Sequence, residues 1–260
     1  MIQNASEANR IVVKVGTSTL AHKTGLMNIQ RVEKLVKVLS DLKNAGREII
    51  LVSSGAIGVG VGKMGLKERP TDTPAKQACA AIGQCELMYC YDKYFSEYNH
   101  TVAQILLTRD IVDSPQRKEN VVNTFRNLLG MGVIPVVNEN DTVAVEEIEF
   151  GDNDTLSAIV GSLTDADLLV ILTDIDGVYE ENPRLNPAAK MIPRIPAITE
   201  EVRALAGGNG TGLGTGGMVT KLSAAQIGLE AGFPTVIMNG SRPEALYDLM
   251  DGREIGTFIG

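Results

Sequence analysis

The sequence has few of the residues on which reactive centres and covalent cross-links usually depend. Its 260 residues include no Trp, two His, three Cys and only 4% aromatic residues. Cys79, Cys85 and Cys90 are an odd number without metal-ligand spacing, which argues against a disulfide-linked secreted protein and favours a reducing cytoplasm. We interpret all three as small hydrophobic residues on a core-facing helix. With only His22 and His100 present, histidine-based catalysis is not expected.

Long apolar runs and an excess of basic residues are also missing. The longest purely aliphatic run, residues 168–172, is far shorter than the roughly 20 residues that span a membrane. The first ten residues contain no apolar stretch typical of a signal peptide. The formal net charge of -8 argues against a nucleic-acid binder, because such proteins cluster Lys and Arg. We therefore expect a cytoplasmic protein with neither a membrane nor a nucleic acid as its partner.

The sequence is rich in glycine, with 27 residues, and its strand and helix patterns alternate regularly. Such alternation predicts right-handed βαβ units and a sheet covered on both faces. The expected fold class is therefore α/β, a three-layer α/β/α sandwich with a mostly parallel central sheet. The predicted strands are 11–15, 48–52, 102–107, 133–137, 168–172, 235–238 and 256–259. The predicted helices are 28–46, 74–94, 115–129, a short one around Ser157, and 218–231. A hairpin over 143–150 and an excursion from the sheet over 179–196 complete the prediction.

Candidate site residues follow from the sheet, because ligands of open α/β sheets lie beyond the carboxyl ends of the strands. The first predicted strand contains Lys14 and ends at Gly16. A lysine within an apolar strand is costly to bury unless it meets an anion, and a glycine lets a ligand approach the backbone closely. The alternative is a lysine that extends to water from the strand edge. We favour the anion, because Thr17 and Ser18 follow directly.

The second predicted strand runs into residues 53–55 (Ser-Ser-Gly) at the start of a helix. Backbone N–H groups at a helix N-terminus point at whatever occupies the cleft, and an anion is favoured there. An ordinary capping serine followed by packing glycines explains the same residues equally well. On this segment alone, both interpretations stay open.

Two clusters of Asn and acidic residues flank the predicted hairpin. The first is 138–141 (Asn-Glu-Asn-Asp) and the second is 151–154 (Gly-Asp-Asn-Asp). Each alone is typical of a turn, because Asn and Asp hydrogen-bond the neighbouring backbone. Together they supply carboxylates and amides suited to an ammonium group, a metal ion or a lysine. An EF-hand loop is excluded, since its ligand spacing and its glycine are absent.

Two further candidates are 173–174 (Thr-Asp), after a buried strand, and the glycine cluster 212–217, before a helix that carries Lys221. The glycines match G-x-G-x-x-G in spacing, but no strand precedes them, so we reject a dinucleotide fingerprint. A Walker A loop fails because residues 62–64 are Gly-Lys-Met. A glycine loop with a lysine one turn later suits a triphosphate. Flexibility alone is the alternative, which we favour less.

Taken together, these segments resemble the amino acid kinase family, and within it the branch that acts on free glutamate. The resemblance runs from about residue 11 to the C-terminus in the family's order. The two lysines and the glycine loop are family-wide, whereas the paired clusters 138–141 and 151–154 are specific to that branch. The matching segments are 13–18 (Val-Lys-Val-Gly-Thr-Ser), 53–58 (Ser-Ser-Gly-Ala-Ile-Gly), 81–84 (Ala-Ile-Gly-Gln), 106–109 (Leu-Leu-Thr-Arg), 134–141, 150–158, 172–174 (Leu-Thr-Asp) and 212–218 with Lys221.

The resemblance implies transfer of a phosphoryl group from ATP to the γ-carboxylate of L-glutamate, giving L-glutamyl 5-phosphate in the first step toward proline. It implies Mg²⁺ held mainly by the ATP phosphates, with no metal ligands from protein side chains. In this branch L-proline is a feedback inhibitor and members are usually dimers or tetramers, so we expect a homo-oligomer. Many members add a C-terminal PUA domain. We expect residues 1–260 to form a single kinase domain without it, whose N-terminal half binds glutamate and whose C-terminal half binds ATP.

The same resemblance assigns roles to individual residues. The catalytic residues expected are Lys14 and Lys221, which flank the transferred phosphoryl group, and Asp154, which holds both lysines. The substrate-binding residues expected are Ser54, Gly55, Asn138, Asp141, Asp152 and Asn153. The nucleotide-binding residues expected are Lys14, Gly16, Thr173, Asp174, Thr215, Gly216, Gly217, Met218 and Lys221.

Three rival functions are weighed against this one. A sibling kinase for N-acetylglutamate, aspartate, carbamate or UMP is disfavoured by the paired clusters, which suit a free α-ammonium group. A non-catalytic sensor of nucleotides or amino acids is disfavoured by the presence of both Lys14 and Lys221. An oxidoreductase with a dinucleotide-binding fold is disfavoured by the position of the glycines.

Overall fold

A single sheet of eight strands organises the described part of the chain. The structure is a computed structural model that describes residues 1–22, 24–108, 111, 113–143, 153–206 and 217–260. The strands are β1 (Arg10–Val15), β2 (Glu48–Val52), β3 (Val102–Leu107), β4 (Ile134–Glu139), β5 (Leu168–Thr173), β6 (Arg194–Ile195), β7 (Thr235–Asn239) and β8 (Thr257–Ile259). The α-helices are α1 (Thr17–Leu20), α2 (Ile29–Asn44), α3 (Ala56–Lys63), α4 (Thr73–Ser96), α5 (Pro115–Gly130), α6 (Asn153–Leu163), α7 (Glu200–Leu205), α8 (Met218–Ala231) and α9 (Ala245–Met250).

The strand order in the sheet is β3-β4-β2-β1-β5-β7-β8-β6. All pairings are parallel except that of β7 with β8. The central strand β1 lies between β2 and β5, with Lys14 beside Val52 on one side and Ile171 on the other. Every residue of β5 is buried, as a strand covered on both faces requires. The mostly parallel sheet predicted from the alternating pattern is confirmed.

Two hydrophobic cores lie on opposite faces of this sheet. Because successive side chains of a strand point to opposite faces, Val13 packs in one core and Val12 in the other. The first core contains Leu35 of α2 and Leu87 of α4, whereas the second contains Phe125 of α5 together with residues of α6 and α8. Helices therefore cover both faces, which confirms the three-layer sandwich.

The predicted strands and helices agree with the structure, except for the bounds of a few elements and for several short elements that were not predicted. Strand β4 continues through Asn138 and Glu139, which the sequence pattern had assigned to the turn after the strand. Helix α6 confirms the helix predicted around Ser157 but is 11 residues long, longer than the short helix expected. Residues 179–196 leave the sheet as expected, but they end in β6, which pairs with β8. Helices α1, α7 and α9 were not predicted, because they have only 4, 6 and 6 residues. Most of the predicted hairpin, 144–150, lies outside the described residues.

The three cysteines share a helix but not an environment. Cys79 is buried in α4, as a small hydrophobic residue would be. Cys85 is exposed and Cys90 is partly buried, so the expectation that all three face the core is wrong for Cys85. Helix α4 has apolar residues all around it. The sequence pattern therefore does not show which face of the helix packs against the core. Among the described helices, α4 included, none combines the length and the apolarity that crossing a membrane requires.

Helices α3 and α4 approach each other so closely that their contact requires glycine. A Cβ atom built on Gly83 of α4 would lie 1.8 Å from the carbonyl oxygen of Ala56 in α3. A Cβ atom on Gly60 of α3 would lie 1.9 Å from the carbonyl oxygen of Cys79. Helix α3 begins directly after residues 53–55, so its distance from α4 determines where this candidate ligand segment lies.

We expect Gly83→Ala to lower the free energy of unfolding by about 3 kcal/mol, because backbone atoms cannot yield to the new methyl group as side chains do. The matched control is Gly130→Ala in the last turn of α5, where a Cβ atom would meet nothing within 4 Å. There the change should be neutral or stabilising by up to about 1 kcal/mol. Urea unfolding of both variants gives the comparison. Equal stabilities for the two variants would contradict the packing argument.

Candidate active site

Three buried charged side chains meet at the carboxyl edge of the sheet. Lys14 Nζ of β1 lies 2.7 Å from Asp154 Oδ1, and Lys221 Nζ of α8 lies 3.0 Å from Asp154 Oδ2. Lys14 is 5% exposed, Asp154 is 0% exposed and Lys221 is 6% exposed. Charges are buried at this depth only when they are paired, because desolvation is otherwise prohibitive. The structure thus brings together the three residues expected to be catalytic.

Lys14 does not extend to water, so the alternative of a lysine at the strand edge is not what the structure shows. Its strand is central in the sheet, and Asp154 comes to it from the first turn of α6. Two ammonium groups and one carboxylate sum to one positive charge, and this arrangement suits an additional anion. The hydroxyl of Thr220, one residue before Lys221, lies 3.1 Å from Asp154 Oδ2. This contact was not foreseen, since a threonine on a helix gives no sequence signal of its own.

The two Asn-containing clusters meet through a set of side-chain amides. Asn153, the first residue of α6, donates from Nδ2 to Ser54 Oγ at 2.8 Å, to the Ser53 carbonyl at 3.0 Å and to Asn138 Oδ1 at 3.1 Å. Asn138 is 1% exposed and donates from its own Nδ2 to Gln84 Oε1 of α4 at 2.8 Å. The ends of β2 and β4 and the start of α6 are therefore held together by hydrogen bonds.

The Ser-Ser-Gly segment is shaped by the backbone and by a buried tyrosine. Gly55 has φ +91° and caps α3 in the left-handed region, where glycine is favoured. Ser53 Oγ lies 2.9 Å from the hydroxyl of Tyr91 on α4. Burial raises the pKa of Tyr91, so its hydroxyl stays protonated. Tyr91 was missed by sequence reasoning, because an aromatic residue within a long apolar helix is normally only packing.

Two carboxyl groups, one at the end of β4 and one just beyond it, have raised pKa values. Burial raises the pKa of Asp141 to about 6, against the smaller opposing attraction of Arg69. Burial, assisted by the charge of Asp141, likewise raises the pKa of Glu139 to about 6. A nearby cation would lower both pKa values again, because it stabilises the charged carboxylates. Carboxyl groups with perturbed pKa values are typical of functional sites.

The described residues expected to hold the nucleotide lie at the ends of β1 and β5 and at the start of α8. The Thr173 hydroxyl donates to Asp174 Oδ1 at 3.3 Å, and Asp174 Oδ2 accepts from Arg184 at 2.8 Å. Gly217 caps α8, and Met218 is its first residue. Gly16 caps the short helix α1 directly after β1. Arg184 gave no signal in the sequence. The remaining predicted residues, Asp152, Thr215 and Gly216, lie outside the described residues.

Within the described ranges, no group of three or more His, Cys, Asp or Glu side chains is arranged to hold a metal ion. The donors that the site offers are ammonium groups, amides and hydroxyls, with the Asp154 carboxylate between the two lysines. This donor set favours an anion at the lysines.

Comparison with known proteins decides the family. The model of the amino acid kinase family matches residues 9–239. The chain belongs to the amino acid kinase family. Among relatives, a glutamate 5-kinase of Clostridium perfringens is 53% identical over 257 residues, which is 97% of this chain and 96% of the relative. A glutamate 5-kinase of Listeria monocytogenes is 54% identical over 263 residues, covering all of this chain and 95% of the relative.

Solved structures of other amino acid kinase folds superpose over almost the whole chain. A UMP kinase from Bacillus anthracis matches with a TM-score of 0.67 at 17% identity, covering 97% of this chain and 96% of that one. An isopentenyl phosphate kinase from T. acidophilum matches with a TM-score of 0.66 at 18% identity, covering 96% and 100% respectively. At this level of identity the likeness establishes the fold alone.

We expect Asp154→Asn to lower the free energy of unfolding by about 3–5 kcal/mol, because two buried ammonium groups would lose a shared counter-charge. Denaturant unfolding at neutral pH measures the loss. The control is Asp248→Asn, which breaks a surface ion pair with Arg253 and should cost at most about 1 kcal/mol. If Asp154→Asn were no more destabilising than the control, the three charges would not be coupled as the geometry indicates.

Proposed function

We propose that this amino acid kinase transfers the γ-phosphoryl group of ATP to the γ-carboxylate of L-glutamate, giving L-glutamyl 5-phosphate, the first step of proline biosynthesis. The observation that carries the proposal is the pair of buried lysines on Asp154, with the amide cluster of Asn153 next to it in α6. The glutamate 5-kinases that are 53–54% identical over almost the entire chain support the choice of glutamate.

The proposed phosphoryl transfer requires neutralisation of negative charge but no general base. A γ-carboxylate with a pKa near 4.3 is already ionised at neutral pH, so no proton has to be removed from the nucleophile. The difficulty is that an anion must approach a polyphosphate. Phosphoryl transfer is accelerated mainly by in-line positioning and by fixed positive charge near the transferred group.

Lys14 and Lys221 supply that charge in our proposal. They approach Asp154 from different elements, β1 and α8, so the carboxylate holds their ammonium groups close together. The two lysines lie on either side of the transferred group and stabilise its charge in the transition state. Mg²⁺ bound with ATP would supply further neutralisation of the phosphate charge. The cationic lysine pair fits such a phosphate-bound ion, since it leaves the metal to be coordinated by the nucleotide.

The substrate side is formed by the ends of β2 and β4 and the start of α6. Ser54, Gly55 and Asn153 bind glutamate through hydrogen bonds, and Asn138 contributes through its contact with Asn153. Asp141 and Asp152 attract the α-ammonium group. The nucleotide side consists of the predicted residues around the ends of β1 and β5 and the start of α8, with both lysines at the boundary. These residues are Gly16, Thr173, Asp174, Thr215, Gly216, Gly217 and Met218.

This division supports one kinase domain over residues 1–260, with glutamate bound by the N-terminal half and ATP by the C-terminal half. Homo-oligomeric assembly as a dimer or tetramer, feedback inhibition by L-proline and a cytoplasmic location belong to the same proposal. They rest on the family resemblance and on the composition, including the three cysteines that are free thiols.

A hydroxamate assay tests the proposed reaction directly, because hydroxylamine traps an acyl phosphate. The protein is incubated with MgATP, hydroxylamine and one acid at a time: glutamate, N-acetylglutamate or aspartate. Hydroxamate is expected from glutamate. A signal from another acid with none from glutamate would overturn the proposal.

In the same assay, Lys14→Ala and Lys221→Ala should each lower kcat by about 10²–10³ while changing the KM for ATP much less, since each removes a preorganised charge from the transition state. Lys34→Ala, which removes a surface lysine paired with Glu244, is the control and should keep its full rate. Near-normal turnover of Lys221→Ala would show that this lysine has a structural role only.

The pKa of about 6 at Asp141 predicts a pH dependence of glutamate binding. Above this pH the carboxylate is charged and attracts the ammonium group, whereas below it the neutral form does not. We expect the KM for glutamate to rise about tenfold between pH 7 and pH 5, while the KM for ATP changes little. Asp141→Asn should have a raised KM at pH 7 and a flatter profile. An unchanged profile in this variant would assign the titration to another group.

A further inference from the structure

Gln84 of α4 is a buried polar residue that the proposed reaction does not use. It is 8% exposed and follows Gly83, the residue at which α4 comes closest to α3. Its Oε1 accepts a hydrogen bond from Asn138 Nδ2 at 2.8 Å. A core position next to a close helix contact normally holds an apolar residue, so an amide here calls for a reason.

The contact with Gln84 is one of three hydrogen bonds that fix which way the Asn138 amide faces. With Nδ2 directed at Gln84, Asn138 Oδ1 faces the opposite side and accepts from two donors. One is the backbone N–H of Glu139 at 2.9 Å, and the other is Asn153 Nδ2 at 3.1 Å. The terminal torsion of an asparagine is soft and roughly two-fold, so its partners decide between the two amide orientations.

The orientation of Asn138 is passed on to Asn153 in the same way. Asn153 Nδ2 has three acceptors around it: Asn138 Oδ1, the Ser53 carbonyl and Ser54 Oγ. Asn153 Oδ1 therefore faces away from this group of acceptors. That oxygen is buried, and within the described ranges it has no hydrogen-bond partner. A buried acceptor without a donor is costly in the free protein and is satisfied when a ligand supplies the donor.

We propose that Gln84 is a positioning residue for substrate recognition. It fixes the Asn138 amide and, through it, the Asn153 amide, so that Asn153 Oδ1 is presented as an acceptor to the α-ammonium group of the substrate. The inference rests on the proposed function and deepens it. Without Gln84, the buried Nδ2 group of Asn138 loses its acceptor, and only the contacts of Oδ1 with Glu139 and Asn153 still hold the amide. Asn138 then shifts to recover a partner, its hydrogen bond with Asn153 weakens, and Asn153 Oδ1 is held less precisely for the ammonium group.

Three variants in α4 test the inference. Gln84→Met keeps the length of the side chain but removes the acceptor, and it should raise the KM for glutamate about tenfold with kcat and the KM for ATP changed less than twofold. Gln84→Glu retains an oxygen at the position of Oε1 and should bring the KM back to within about threefold of the wild type. Glu86→Gln, two residues along the same helix and paired with surface Lys63, is the control and should leave every constant unchanged. Thermal unfolding confirms that each variant is folded.

A double-mutant cycle distinguishes positioning from a general packing effect. If Gln84 acts through Asn153, the effect of Gln84→Met on glutamate affinity, measured by calorimetry, should disappear in an Asn153→Ala background. Additive effects would overturn the inference, as would a wild-type KM for glutamate in folded Gln84→Met or a failure of Gln84→Glu to recover affinity. The proposed function fails separately, by the absence of glutamyl hydroxamate from the wild-type protein.

Discussion

The ion pairs of Asp154 with Lys14 and Lys221 are the interaction on which the rest of the site depends. They tie the central strand β1 to the starts of α6 and α8, elements that are distant in sequence. Their burial keeps the electrostatic attraction between the charges strong, because little water screens it. Burying any one of the three charges without its partners would strongly destabilise the fold, because the charge would lose its hydration without compensation. Stability and the proposed catalysis are therefore coupled through a single carboxylate.

A second constraint comes from α4, which packs against the segments that we propose to bind the substrate. Its glycine contact with α3 determines where residues 53–55 lie, and its buried Tyr91 and Gln84 reach the ends of β2 and β4. The helix thus holds the ends of β2 and β4 in place through hydrogen bonds. This arrangement places a rigid helix behind residues 53–55 and the strand ends, and ligands of α/β proteins are usually held at strand ends on a rigid scaffold.

Much of the fold was predictable because β1, β2 and β5 are short apolar runs with clear ends and α2 has a capping Asn28 and a stop at Gly46. Lys14 was predictable as a site residue because a charge in such a strand is anomalous. The strand that contains Asn138 was predicted too short, since asparagine usually marks a turn and not a buried strand end. Gln84 and Tyr91 act through partners far away in the chain, and a local pattern cannot reveal such contacts. Arg184 contacts Asp174 only ten residues away, but across an irregular segment that has no periodic pattern. The exposure of Cys85 was missed for a related reason, because α4 has no polar face to orient it.

The position of Lys14 in the middle of the sheet has a consequence for how the chain reaches its native state on the ribosome. Strand β1 is synthesised early, but its neighbour β5 and its counter-ion Asp154 emerge only after more than half of the chain. Until then, sealing β1 into a sheet would enclose an ammonium group without a carboxylate. The nascent N-terminal half therefore has reason to stay loosely packed around this strand until α6 arrives. A fragment that contains only that half has no native way to bury its own central strand.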